Sequence, residues 1–329
     1  MLCVRTSRND KTFFSFPKAG LAVAALALFL SALPSPNPIF ARDSSPSSVG
    51  RPGEILKIPA EYGEVVYRYN EGSPNQLFII GMSHRDSLTR MNGTRTAKTQ
   101  AEVYKIGEWL IRNKGLELLL PEGFFKTKPE KVEKEMGPRV EAAKKDREVA
   151  SPSLETLEKE LGNNRTFINA EMLLIRDYPL CIDQVEDKIC YDAVSNGIQK
   201  LANCGSNLDE YFSVRSELDY LQDVRTGTML QKIPGIIETE FQQGRIKNRK
   251  AFLTIGMSHI LPIIRYLNEK RIAIYPPAAG NAQSGNHIEE LNLAKADFGV
   301  SIILPRTLVD DPKILRVNRL DKIVADSRK

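Results

Sequence analysis

Gln76-Leu-Phe-Ile-Ile-Gly-Met-Ser-His84 and Ala251-Phe-Leu-Thr-Ile-Gly-Met-Ser-His259 are the two stretches whose reading decides the fold. Each begins with a short, nearly continuous apolar run, the pattern of a strand buried on both faces rather than of one face turned to water. Each ends in the string Gly-Met-Ser-His and runs into a segment able to form a helix. The chain has three histidines, and these two strings hold two of them. A repeated strand, Gly-x-x-His turn and helix predicts two related halves of one sheet. In an open parallel sheet such turns lie at the carboxyl ends of the strands, where ligands bind. The glycine is expected to let the chain turn sharply off the strand.

Working outward, residues 64–69 alternate like an edge strand, and a turn follows over 70–75. Residues 97–113 place Ala101, Tyr104, Ile106, Trp109 and Leu110 at helical spacing, with Gly115 as the stop, and 116–120 form the next strand. Strand, helix, strand in this order predicts a parallel crossover. Further helices are expected at 167–175, 189–201, 206–232 and 260–269, and strands at 180–185, 251–255 and 271–275. The Lys- and Glu-rich stretch 126–160, broken at Gly137-Pro138 and Ser151-Pro152, reads as a solvated helical insertion. The expected architecture is therefore α/β: a mainly parallel central sheet with flanking helices over residues 54–305, followed by a peripheral charged tail, 306–329.

Arg5, Arg8, Lys11 and Lys18 precede an apolar run over 19–33 that Pro34, Pro36 and Pro38 end. A basic start, a run shorter than the roughly 20 residues that span a bilayer, and a small residue at Ala41 predict a cleaved secretory signal over 1–41. A flexible leader, 42–53, follows. Membrane contact is then transient, and the mature chain works in the periplasm or outside the cell. Removing the signal leaves 42 basic and 40 acidic side chains, a formal +2. Such a chain lacks the basic excess that a nucleic-acid partner requires. Three cysteines remain, Cys181, Cys190 and Cys204. None has Cys-x-x-Cys spacing, so a cysteine zinc clip is not expected. If oxidation makes a disulfide, Cys181 with Cys190 closes the shortest loop.

Neutral imidazole is both the commonest metal ligand and the commonest acid-base group near neutral pH, so His84 and His259, brought to one cleft, would make an active centre. Glu122 directly follows the apolar run 118–120, where an unpaired charge would be costly unless it meets a cation or a donor. It could also cap a helix or pair with an arginine. Two histidines and one carboxylate are a familiar ligand set for a divalent metal with open positions.

These motifs, Gly81-x-x-His84, Glu122 and Gly256-x-x-His259, resemble those of the TraB/GumN family, which includes PrgY- and TIKI-like proteins and is distantly related to the ChaN-like and erythromycin-esterase-like proteins. The resemblance covers residues 64–277 and extends to Asp223-Val-Arg225-Thr-Gly-Thr-Met229, which looks like the family's arginine-bearing helix. It implies an α/β fold with its paired motifs gathered at one site. By residue match it implies His84, Glu122 and His259 as metal ligands or acid-base groups, and Arg225 as an anion or carbonyl contact. Val185-Glu186-Asp187 is similar to an acidic turn in related proteins. The TIKI branch is described as metal-dependent proteases and the ChaN branch as haem-iron binders. Met-Ser inside both strings and the insertion after Glu122 depart from the pattern and leave the substrate open.

Ser83 and Ser258 adjoin the histidines, but no Gly-x-Ser-x-Gly elbow presents a nucleophile. Arg90, Arg95 and Gln100 could line the cleft or simply start a helix, and His287 reads as a loop residue. The function expected is an exported, metal-dependent, peptidase-like hydrolase acting on a peptide or small molecule. The alternatives are a non-catalytic binder of metal, haem or peptide, and a regulator acting through protein contact.

Overall fold

The computed structural model describes residues 56–83, 94–126, 151–163, 168–205, 207–274 and 287–328. The expected signal and leader, most of the charged insertion, Arg90 and His84 lie outside these residues. Among the described residues no helix is long and apolar enough to cross a membrane.

The centre is a six-stranded sheet. Its strands are β1 (Gly63–Tyr69), β2 (Asn75–Met82), β3 (Leu118–Pro121), β4 (Cys181–Ile182), β5 (Lys250–Gly256) and β8 (Phe298–Pro305), in the order β1-β8-β2-β5-β3-β4. β8, β2, β5, β3 and β4 run parallel, and β1 closes one edge antiparallel to β8. The fold is thus α/β with a mostly parallel, mixed sheet, as the continuous apolar runs predict.

Period-two alternation divides the core into two layers. Leu77, Ile79, Leu253, Ile255, Val300 and Ile302 face one side, with Phe78, Ile80, Phe252 and Ile303 on the other. The second face is covered by α1 (Thr94–Lys114), α2 (Leu154–Leu161) and α3 (Ala170–Asp177). α1 ends at Gly115, whose φ of 64° provides the left-handed stop. The first face is covered by α5 (Leu208–Gln242) and α6 (Ile260–Glu269), through Met229, Leu230, Ile233, Ile237, Ile260, Ile263 and Leu267. Between α3 and α5 lies α4 (Lys188–Asn203), N-capped by Asp187, which accepts from the amides of Ile189 and Cys190. The crossover from β2 through α1 to β3 passes over β5, which enters the sheet between them.

Several expectations change. The strand at 271–275 is β6 (Arg271–Ile274). It leaves the central sheet and pairs antiparallel with β7 (His287–Glu290), so His287 begins a strand rather than lying in a loop. The 180–185 stretch makes only the two-residue β4. The reading from sequence misses β8, which is buried along its whole length. The tail is not peripheral either. After α7 (Asn292–Lys295), α8 (Arg306–Val309), α9 (Pro312–Val317) and α10 (Asp321–Ser327) bury Leu308, Val309, Leu315, Leu320 and Val324 in the first core layer. Apolar residues spaced among charges hid that amphipathic pattern. The three cysteines are free thiols. Cys181 donates to Glu240 Oε2 at 2.9 Å and Cys190 lies on α4 beside Thr228, so the expected pair is not joined.

Candidate functional site

β2 and β5 are neighbours in parallel register, with Gly81 opposite Ile255 and Met82 opposite Gly256. Both Gly-Met-Ser strings therefore leave the sheet at the same carboxyl edge, and β3 ends beside them with Pro121 opposite Thr254. Gly256 ends β5 and caps the 3-10 turn that follows, so the chain does leave the strand at the second of these glycines. Neither has a left-handed φ; Gly256 sits at −62°. A Cβ on Gly81 would stand 2.5 Å from Leu304 Cδ2 and 3.1 Å from Met257 Sδ. Gly81 is closely packed, first by Leu304 on β8 and then by the methionine of the second string.

Gly123, at φ +75°, is the residue that does turn the chain at this edge. It redirects the backbone just after Glu122, whose own amide is held by Thr254 O at 3.0 Å. Glu122 Oε2 accepts from Gly256 N at 2.6 Å, Oε1 accepts from Arg225 Nη2 at 3.0 Å, and Oε1 stands 3.3 Å from His259 Nε2. The histidine ends the short 3-10 turn Met257–His259, directly before α6, and is 3% exposed. Its other ring nitrogen, Nδ1, lies 2.5 Å from Thr226 Oγ1 on α5.

Arg225 is the hub. Its guanidinium makes a fork with Glu186, Nε to Oε2 at 3.1 Å and Nη2 to Oε1, and Glu186 Oε1 also accepts from Gly123 N at 3.0 Å. The Glu186 side chain is fully buried and that of Arg225 is 7% exposed. Burial pulls the Arg225 guanidinium down, but the Glu186 hydrogen bond and the charges of Glu122 and Glu186 outweigh it and hold the group above its ordinary range. Nη1 makes no hydrogen bond among the described residues. The Tyr191 ring covers the guanidinium at 5.2 Å and meets Phe125 edge-on at 5.0 Å. Two carboxyl groups thus share one guanidinium at this edge.

Of the expected site residues, Glu122, Arg225 and His259 come together. His84 lies outside the described residues and would follow Ser83, at the end of β2. Glu186, marked by the sequence only through its acidic turn, holds the centre of the cluster, and Thr226 went unnoticed because a helical threonine carries no signal of its own. Gln100 is a structural bracket, donating to Ser83 O and accepting from Ala170 N, and Arg95 pairs with Asp311. Neither joins the cluster. The open groove lined by Glu269, Lys270, Arg271, Ile288, Glu289 and Glu290 belongs to the β6–β7 ribbon. Among the described residues no three His, Cys, Asp or Glu side chains form a metal-binding group. No protein-family model, curated protein or solved structure matches this chain.

Proposed function

We propose that this chain is an exported, metal-dependent hydrolase of peptide-like or small acyl substrates, built on two related strand and Gly-x-x-His halves in the manner of the TraB/GumN family. The observation that carries the reading is the 3.3 Å separation of Glu122 Oε1 and His259 Nε2 at the carboxyl edge of β3 and β5. Two donors each roughly 2.0–2.2 Å from one divalent ion stand about 3.0–3.5 Å apart, so the pair fits one edge of a coordination shell. His84, outside the described residues, is the third ligand in this reading.

A bound divalent ion would supply Lewis acidity and an acidified water. The protein's part is to hold and orient. His259 and Glu122 present donors fixed from behind by Thr226, Gly256 and Arg225. The Arg225 guanidinium would steady the oxygen that gains charge when a carbonyl is attacked. The Tyr191 ring, itself packed edge-on by Phe125, lies over the Arg225 guanidinium and lowers the local dielectric.

Hydrolysis of a panel of blocked peptides and aryl esters, run with and without chelator, tests the reading. Chelator-sensitive turnover that Arg225→Lys lowers by roughly 100-fold or more supports it, since a lysine cannot reproduce a bidentate seat. Metal uptake with no turnover on any substrate favours the binding protein instead. Export is tested by sequencing the mature N-terminus, expected near Arg42.

A further inference from the structure

We propose that Thr226 is a positioning residue that fixes the tautomer of His259, keeping the proton on Nδ1 and the Nε2 lone pair turned toward Glu122. The hydroxyl has one proton to give. Thr226 Oγ1 lies 2.7 Å from Gln222 O, the carbonyl one helical turn back on α5, and donates to it. What remains toward His259 Nδ1, 2.5 Å away, is an oxygen lone pair, so the ring nitrogen must bring the proton. Both residues are buried, Thr226 at 1% and His259 at 3% exposure, so water does not offer an alternative partner.

The consequence falls on the other nitrogen. In a neutral ring Nε2 is then an acceptor, and it faces Glu122 Oε1, also an acceptor, at 3.3 Å. Arg225 and Gly256 N hold the Glu122 carboxyl in that orientation. Two acceptors facing one another at that distance leave a place for a metal ion. Without the hydroxyl the ring proton would move to Nε2 and donate to Glu122, closing that place. Outer partners that hold the remaining N–H of a ligating histidine act in this way in metal sites generally.

The assignment stands whether or not the hydrolase reading is correct. The test is a long-range proton–nitrogen correlation spectrum of chelator-treated, nitrogen-15-histidine-labelled mature protein. With only three histidines in the chain, His84→Ala and His287→Ala variants assign the signals. A protonated Nδ1 with an unprotonated Nε2 on His259 at mildly alkaline pH is expected. Thr226→Val should move the ring to the Nε2–H form, and Thr226→Ser should restore the original. An Nε2–H form in the wild-type protein, an unchanged tautomer in Thr226→Val, or a ring doubly protonated throughout would each overturn the assignment. If Thr226→Val does not fold, the wild-type and Thr226→Ser spectra decide. Zinc affinity should fall about 10- to 100-fold in Thr226→Val. If the wild-type protein takes up no zinc, the hydrolase reading fails while the tautomer result still decides this one.

Discussion

Arg225 is seated on Glu186 by a two-pronged contact, with Nε 3.1 Å from Oε2, and neither side chain is more than 7% exposed. Breaking a buried pair from one side strands the other charge. Glu186→Ala should therefore destabilise the protein by about 3–5 kcal/mol, measured by urea unfolding. A loss under about 1 kcal/mol would mean that Arg225 finds other partners and that the hub is misplaced.

Stability should respond to pH through Glu240, a carboxyl with no exposed surface that meets Cys181, Asp183 and Arg245. Burial, with the Asp183 hydrogen bond, raises its folded pKa above the ordinary value of 4.5. The folded state thus holds this proton more tightly than the unfolded state. The contribution is complete below the unfolded value and is lost as pH rises through the folded one. Urea unfolding across that range should show Glu240→Gln removing this decline, the variant gaining on the wild type as pH rises. An unchanged slope would contradict it. Cys181, pushed up to about 12 by burial and by Glu240, should stay unreactive to thiol reagents at neutral pH.

Deleting residues 306–329 should abolish cooperative folding. The segment buries Leu308, Val309, Leu315, Leu320 and Val324, and each such side chain is worth roughly 1.5–3 kcal/mol, against a total stability of about 5–15 kcal/mol. A truncated chain with an unaltered melting transition would show that the tail is dispensable.

The buried strands were legible because a parallel sheet covered on both faces needs apolar side chains at every position, and β2 and β5 have them over 77–80 and 251–253. β8 obeys the same rule and was missed because its neighbours in sequence offer no repeat to point to it. The tail was hidden by exposed charges between its anchors. At the site, the carboxyl-edge placement of Glu122 and His259 follows from their positions just after strands. The partnership of Arg225 with both Glu122 and Glu186 does not, because it depends on how α5 crosses the sheet. The packing of Gly81 was not legible for a similar reason: a glycine crowded by neighbouring side chains looks, in sequence, the same as one required by a turn.

The central claim is that Glu122 and His259, with His84, hold a divalent cation. Calorimetric titration of zinc, manganese and cobalt into tag-free mature protein tests it most directly, alongside a His84→Ala, His259→Ala double variant and Glu122→Gln. The account predicts one ion per chain, with affinity lowered by roughly 100-fold or more in Glu122→Gln and lost in the double variant, all three proteins remaining folded. Binding of no ion by the wild-type protein, or equal binding by the double variant, would contradict it.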